Sequence, residues 1–322
     1  MYDVSVFGDG LIDFIPSQNS SEEHPLFECQ IGGTAANVAA GSACLGLNTL
    51  MTCKVGGDFF GQYIVHGLQK VGVDVSGIIV DDTYATTMTF VTLTGGERSF
   101  SFLRKNTADI NIQPAEIDLD TVLNTKILYM TGMGFTDEPI RSVSTSLLKE
   151  AYKRGILTSI DINWRAPLWK SKSDFVATIT GIIPYCRFYK SSEDEIALLT
   201  GEKSLDAATE KIRRKGPSLV LVSCGHKGAY YRFNDMTGML NTYDVKKVDT
   251  TGAGDCFMSA MFYQLCQLKD MKDLAALDLP SCIDFCNAAG ALSITCRGGV
   301  SSMPSVKGIQ TCQRTEKKLE IS

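Results

Sequence analysis

A chain of 322 residues can bury a substantial core, either in one large α/β domain or in two smaller ones. With 44% hydrophobic and 21% charged residues it reads as a soluble globular protein, and no stretch has the unbroken apolar length that crosses a membrane. Lysine and arginine number 31 against 36 acidic residues, a net charge of −5 that disfavours nonspecific nucleic-acid binding. Met1-Tyr2-Asp3 leads directly into a predicted strand rather than a basic, apolar signal segment, so a cytoplasmic protein is expected.

The eleven cysteines are an odd number without C-x-x-C units. Cys282 and Cys286 have helical spacing, which fits a shared helix face in a reducing compartment better than a metal site. His24, His66 and His226 form no recognisable ligand cluster.

In chain order, Val4-Ser5-Val6-Phe7 predicts a first strand that exits into Gly8-Asp9-Gly10-Leu11-Ile12-Asp13. This imitates a dinucleotide fingerprint, but Asp13 stands where a third small residue would be needed and no helix follows at once. Asp9 and Asp13 therefore read as polar groups at a strand exit, either contacting a ligand or capping a turn. Residues 17–28 are polar and turn-like. Gly32-Gly33-Thr34-Ala35-Ala36-Asn37 then enters a small-residue helix, where glycines allow close approach of a ligand and Asn37 offers a donor and an acceptor to a sugar hydroxyl; tight helix packing is the alternative. A strand near 50–53 precedes Val55-Gly56-Gly57-Asp58, in which Asp58 is given a structural turning role, and a helix to Lys70 with a Gly72 stop.

Residues 86–93 and 99–103, separated by Thr94-Gly95-Gly96-Glu97, predict a hairpin suited to a lid. Arg104 follows, able either to bind a substrate oxygen or to pair with Asp109. Beyond Pro114 a βα alternation sets in. Strands are predicted at 127–130, 157–160 and 219–222, with helices over 137–153, from the Ser173-Asp174 pair, and over 204–214. The pattern predicts an open parallel sheet with helices on both faces.

Asp161-Ile162-Asn163-Trp164-Arg165 leaves the second of these strands; Asp161 and Asn163 suit a sugar or water and Arg165 a phosphate, with an Asp161–Arg165 ion pair as the alternative. Lys190 through Glu195 supplies a cation followed by carboxylates, and suits either a solvated helix start or phosphate and water-mediated Mg²⁺ contact. Leu219 to Gly228 is a strand running into a glycine turn, near enough in type to approach a base or simply to connect. Asp249-Thr250-Thr251-Gly252-Ala253-Gly254-Asp255 opens an apolar helix. Its backbone N–H groups and the positive helix end can seat an anion, with Asp255 placed to accept a hydroxyl proton; an ordinary glycine turn is the alternative. Cys286 to Ala291 can pack as a close helical turn, and Arg297 to Ser302 can return carbonyl and hydroxyl oxygens towards that seat.

Taken together, Gly32 to Asn37 and Asp249 to Asp255 resemble the two signatures of the pfkB or ribokinase-like carbohydrate kinases, in the right order and separation over nearly the whole chain. Ala35 stands where a proline is common in fructokinases, and Ser192 replaces an asparagine found in many relatives. Phe102-Leu103-Arg104, Ala108-Asp109 and the segment from Asp161 to Trp169 look most like the substrate side of a fructokinase.

The resemblance implies a ribokinase-like α/β three-layer sandwich, one domain over 1–322, with a predominantly parallel central sheet and a small β lid near 14–31 and 84–104. It implies ATP-dependent transfer to a sugar hydroxyl, with Asp255 as base and the Gly252, Ala253 and Gly254 amides as the anion hole. Sugar contacts are implied for Asp13, Gly33, Asn37, Arg104 and Asn163, with Arg165 added from its place on the same strand exit. Lys190 and Glu195 are implied at the nucleotide phosphates and, indirectly, Mg²⁺; Gly225, Gly228 and Asn287 near adenosine; and Asp249, Thr251 and Ser302 near a monovalent cation such as K⁺. The acceptor expected is the 6-hydroxyl of fructose, with 2-keto-3-deoxygluconate and then ribose as alternatives, and a noncatalytic sugar or nucleotide sensor as an alternative of another class. Exposed lid strands leave a homodimer open.

Overall fold

The computed structural model describes residues 1–17, 19–21, 23–94, 97–271 and 273–319. Among the described residues, thirteen strands and ten α-helices follow one another. β1 (Tyr2–Phe7), β2 (Leu11–Pro16) and β3 (Phe27–Gly32) lead to α1 (Thr34–Cys44), β4 (Thr49–Gly56), α2 (Phe59–Lys70) and β5 (Asp74–Asp81). A hairpin of β6 (Met88–Thr94) and β7 (Glu97–Leu103) precedes the short α3 (Leu119–Val122), β8 (Thr125–Thr131), α4 (Ile140–Lys153), β9 (Leu157–Asp161), α5 (Lys172–Ile182) and β10 (Phe188–Ser192). Then come α6 (Glu193–Thr200), α7 (Leu205–Arg213), β11 (Leu219–Ser223), β12 (Ala229–Phe233), β13 (Met236–Leu240), α8 (Ala253–Cys266), α9 (Leu279–Ser293) and α10 (Val306–Thr315).

Nine strands form the central sheet in the order β13-β12-β11-β10-β9-β8-β1-β4-β5, parallel except for the β11–β12 and β12–β13 pairs. Both faces are covered. Val4, Val6, Tyr129 and Phe188 pack beneath α1, α8 and α9, while Phe7, Leu128, Ile160 and Tyr189 pack beneath α4 and α5, giving three layers. This is why the strands read as short apolar runs: alternate residues point to opposite, equally dry faces.

The second sheet has the order β3-β2-β6-β7 and forms the smaller lid layer. β2 turns off the end of β1 through Gly8-Asp9-Gly10, so Asp13 lies on a lid strand, with Gln30 and Thr89 as register neighbours. Phe14 stacks on Phe90 at 4.8 Å and meets Phe60 of α2 edge-on at 5.6 Å, which docks the lid on the helix layer.

Three local expectations are corrected. The turn-like segment ends before Phe27, because Phe27 and Glu28 pair with Pro16 and Ile15 in the lid. α5 is capped by Ser171, which accepts the Asp174 N–H at 3.0 Å, while the Asp174 carboxylate is engaged by Arg141; the Ser173-Asp174 pair therefore lies inside the first turn. The helix expected from Asp137 begins at Ile140, after Pro139. Gly95 and Gly96 of the expected hairpin turn lie outside the described residues.

Asp58 shows how lid and base are tied. It caps α2 by accepting the Gly61 N–H at 2.8 Å, and its second oxygen accepts the Thr86 N–H at 2.8 Å at the foot of the β6–β7 hairpin. Asp58→Ala is expected to lower unfolding free energy by about 1–2 kcal/mol, read from urea denaturation midpoints.

Candidate active site

The segment Thr250-Thr251-Gly252 turns sharply into α8, with Gly252 at φ 79°, a conformation glycine adopts without strain. The first N–H groups of a helix lack intrahelical acceptors, so those at Ala253, Gly254 and Asp255 stand at its positive end. Asp255 lies in this first turn, 8% exposed, and its Oδ2 accepts a 2.8 Å hydrogen bond from Nδ2 of Asn37 on α1. Burial pushes its carboxyl up to about 7, against the opposing pull of the Asn37 hydrogen bond and the Lys190 ammonium. A carboxylate poised there is suited to take a proton near neutral pH.

Gly254 is small for a separate reason: a Cβ there would lie 2.9 Å from Lys190 Nζ. That ammonium stands directly under the turn, held at 2.5 Å by Asp161 of the neighbouring strand. Lys190 and Asp161 are register partners on β10 and β9, so the sheet itself makes the pair. Burial works against the ammonium, but Asp161, Glu195 and Asp255 hold its pKa above the ordinary lysine value. The Asp161–Arg165 pairing is thereby corrected: Arg165 stacks its guanidinium over Phe100 of the lid, 5.8 Å from the ring centre, and donates to the Trp164 carbonyl.

These groups open into one cavity of about 330 Å³. Asp9, Asp13, Gly33, Asn37, Thr89, Asn163 and Arg165 line one part of it, and Lys190, Glu195 and the turn from Thr250 to Asp255 the other. The lid closes over it with Phe100 and Phe102. Gly33, at φ 96°, is the N-cap of α1. Asn163 holds a left-handed backbone at φ 36° as the chain leaves β9. Glu195 completes a capping box on α6, its two oxygens accepting the Trp164 and Ser192 N–H groups at 2.7 Å each.

Arg104 takes another course. Its Nε donates to Asp109 at 2.6 Å, and its other nitrogens reach the Thr136 hydroxyl and the Met133 carbonyl. Burial alone would raise the Asp109 carboxyl, but Arg104 and the hydroxyls of Thr87 and Thr107 hold it below the usual carboxylate range. The side chain lines a neighbouring hollow of about 700 Å³, which Phe100 and Phe102 separate from the 330 Å³ cavity by lining both.

Gly225 and Gly228 flank the turn between β11 and β12. Gly228 packs against the Leu240 carbonyl, and Asn287 of α9 donates to the carbonyls of Leu240 (3.0 Å) and Asn241 (3.3 Å), so one strand exit brings these three residues together. Asp249 accepts the N–H groups of Thr251 (2.8 Å) and Gly298 (3.3 Å), joining the approach to α8 to the loop that ends at Ser302. Ser302 donates its hydroxyl to the Gly299 carbonyl at 2.9 Å. Among the described residues no group of three or more His, Cys, Asp or Glu side chains converges as a metal site. No helix among them is long and apolar enough to cross a membrane.

The sequence reading overlooked the Asp161–Lys190 partnership and the lid residues Thr89 and Phe100 as cavity walls. It also gave no strand to 229–240, although Ala229, Tyr231 and Phe233 fall on one face and Tyr230 and Arg232 on the other before Asn234, whose φ of 52° makes the β12–β13 turn.

An open helix N-terminus with a buried carboxylate in its first turn, both on one polar cavity, is an arrangement suited to phosphoryl transfer. The chain belongs to the pfkB family of carbohydrate kinases, whose family model matches residues 1–306. It is similar to a probable fructokinase-7 of Arabidopsis thaliana, with 37% identity over 95% of this chain and 91% of the relative. Among solved structures it is similar to a fructokinase with bound ATP from Xylella fastidiosa, at 26% identity and a TM-score of 0.90, covering 97% of this chain and 98% of that one. A fructokinase double mutant from Vibrio cholerae O395, in a form with bound fructose, ADP and potassium ion, is 28% identical with a TM-score of 0.86, covering 97% of this chain and 98% of that one.

The two arginines are expected to separate experimentally. Arg104→Ala strands the buried Asp109 charge and should cost about 3–5 kcal/mol of stability. Arg165→Ala should stay within about 0.5 kcal/mol of wild type, since its partners are a ring face and the main-chain carbonyl of its own neighbour Trp164. Denaturation midpoints of the two variants decide this.

Proposed function

We propose that the protein is an ATP-dependent fructokinase, transferring the γ-phosphoryl group of ATP to the 6-hydroxyl of D-fructose. The observation that carries this reading is the placement of Asp255, its carboxyl pushed up to about 7, at the meeting point of the polar pocket around Asp13 and Asn163 with the helix-terminal seat of Gly252 to Gly254. The names of the similar proteins point the same way, since fructokinases recur among curated relatives and solved structures.

A neutral ketose is favoured over 2-keto-3-deoxygluconate by the charges. A sugar carboxylate calls for paired cations, but Arg104 is engaged by Asp109 and Lys190 by Asp161, while Asp9, Asp13 and Asp255 surround the pocket. Arg165 is left to meet a substrate oxygen from the lid side.

In this reading Asp13, Gly33, Asn37, Asn163 and Arg165 position the sugar, and Asp255 takes the proton of the attacking hydroxyl. The N–H groups of Gly252, Ala253 and Gly254 receive the charge that develops on the transferring group, with the Lys190 ammonium beneath them. The Gly225–Gly228 turn and the Asn287-braced strand exit flank the adenosine. Mg²⁺, when bound, spreads phosphate charge; Glu195 would hold it through water, because both its oxygens are engaged by backbone N–H groups. Asp249, Thr251 and Ser302 offer the hard oxygen set that suits K⁺. β3 and β7 are the two edges of the lid sheet, and an open edge of this kind is where a second copy could pair to make a homodimer.

Incubating the enzyme with ATP, Mg²⁺ and fructose, with and without K⁺, should yield fructose 6-phosphate by mass and NMR; a sugar acid phosphorylated in its place would overturn the acceptor. Asp255→Asn should lower kcat by about 10²–10⁴-fold and leave the KM for ATP nearly unchanged. Wild-type turnover in this variant would remove Asp255 from the role of base.

The pH dependence follows from the raised carboxyl. kcat/KM should climb through a limb near pH 7 as Asp255 deprotonates, and the limb should vanish in Asp255→Asn. Stability moves the other way. A folded-state pKa above the unfolded one means stability is full below the ordinary aspartate range and is lost as pH rises through about 7. Asp255→Asn should therefore gain on wild type in thermal melting between pH 4 and pH 8.

A further inference from the structure

Two consecutive glycines at the entrance to α1 each leave room for a carboxylate. A Cβ on Gly32 would collide with Asp13 Oδ2, and a Cβ on Gly33 would lie 2.8 Å from Asp9 Oδ2. Asp13 comes from lid strand β2, Asp9 from the exit of β1, and both line the same cavity. The two acids thus bracket one glycine step from opposite layers of the protein.

Asp9 is held rigidly. Its Oδ1 accepts the Thr131 hydroxyl at 2.7 Å, and its main-chain carbonyl accepts the Ala36 N–H at 3.2 Å. Its Oδ2 is buried without a hydrogen-bond partner among the described residues, although the residue is only 2% exposed. A buried carboxylate oxygen left without a donor is costly, and native proteins retain such an atom where a ligand supplies the donor. Its surroundings have the same bias: Asn37 Oδ1 and Asn163 Oδ1, also cavity-lining, are buried acceptors without donors. A pocket with a surplus of fixed acceptors matches a ligand with a surplus of hydroxyl donors.

We propose that Asp9 is a specificity-determining sugar contact, its Oδ2 accepting one hydroxyl of the acceptor sugar beside Gly33, next to the hydroxyl taken by Asp13. This rests on the sugar-kinase reading above and adds a second carboxylate to it. A pair of fixed anionic acceptors one residue step apart reads neighbouring hydroxyls and repels a sugar carboxylate placed at the same spot. A site built to bond a hydroxyl rejects the analogue that lacks it, because the buried acceptor is then stranded.

The test compares kcat/KM for fructose and for its monodeoxy analogues in wild type and in Asp9→Asn. Because Thr131 donates to Oδ1, the new amide NH₂ would face the sugar, so the charged acceptor for its hydroxyl proton is lost. Fructose kcat/KM should fall about 10- to 100-fold, the range of a hydrogen bond to a charged group, while the KM for ATP moves less than about twofold. One deoxy analogue, poor with wild type, should suffer no further loss in the variant, which identifies the hydroxyl that Asp9 reads. Equal proportional losses for every analogue would overturn the inference.

Thr131→Val keeps the charge and removes only the anchor on Oδ1, so it covers the case in which Asp9→Asn fails to fold. It should lower fructose kcat/KM several-fold with the same deoxy selectivity, and unchanged kinetics in the folded variant would overturn the inference as well. Failure of the fructokinase reading shows in wild type itself, as absent fructose 6-phosphate. Failure of the Asp9 inference shows only in the comparison between variant and wild type.

Discussion

The hydrogen bond from Asn37 to Asp255 joins the first turns of two helices 218 residues apart, and most of the cavity depends on it. It can form only if α1 and α8 approach closely, and the sequence supplies small residues for that contact. A Cβ on Gly41 would collide with Ser259, one on Gly299 would collide with Asn37, and the Ser259 hydroxyl bonds the Val38 carbonyl across the interface at 3.1 Å. The alanine-rich character of α1 is therefore a packing requirement with a chemical purpose. It brings two helix N-termini to one point, so the positive ends of both dipoles face a single cavity.

That convergence offsets an otherwise unfavourable collection of charge. Asp9, Asp161 and Asp255 are all buried in or under the cavity, with Lys190 as their buried cation. Burial raises the Asp9 and Asp255 carboxyls; the Thr131 hydroxyl and the Arg104 guanidinium oppose it at Asp9, and the Asn37 amide and the Lys190 ammonium oppose it at Asp255. The same positive features that keep the carboxylates accessible to ionisation also make the turn at Gly252 attractive to phosphate. In the proposed reading one arrangement would serve both a base and an anion seat, and Lys190 beneath Gly254 is the element both would share.

Much of this was legible in the sequence because it is local. The turn from Asp249 to Asp255 is a contiguous string of small residues followed by an apolar helix, and Asp58 announces its cap by position. The βα alternation appears as apolar runs because each strand is buried on both faces. The role of Lys190 was only half legible: its position after an apolar strand was visible, but its partner was not. The ion pair considered for Asp161, as the alternative to ligand contact, was with Arg165, four residues along, whereas the register of β9 against β10 assigns it to Lys190, 29 residues away. Pairings across parallel strands leave no local trace, since the crossover between them can have any length. Arg104 illustrates the same limit from the other side. Its local partner Asp109 was foreseeable, but its burial depends on Met133 and Thr136, which the crossover into β8 brings from a distant segment.

The lid's mechanical design follows from where these long-range bonds fall. Both feet of the β6–β7 hairpin are fixed: Thr86 by Asp58, Thr87 by Asp109, and the far foot by Arg104 bonded to the β8–α4 connection. The span between the feet carries Phe100, which meets the body of the protein through the face of its ring against Arg165. A cation on a ring face is a weak, adjustable contact, whereas the bonds at the feet are buried and charge-assisted. Between the feet β6 is also held laterally, by its register with β2 from Ile12 to Phe14 and by the Phe14–Phe90 stack, which leaves β7 as the edge strand of the lid. Asp13 shares that register with Thr89, so the carboxylates lining the cavity from the β1 exit and from β2 lie beside the best-anchored part of the lid, whereas Phe100 and Arg165 meet over the same cavity through the more adjustable contact.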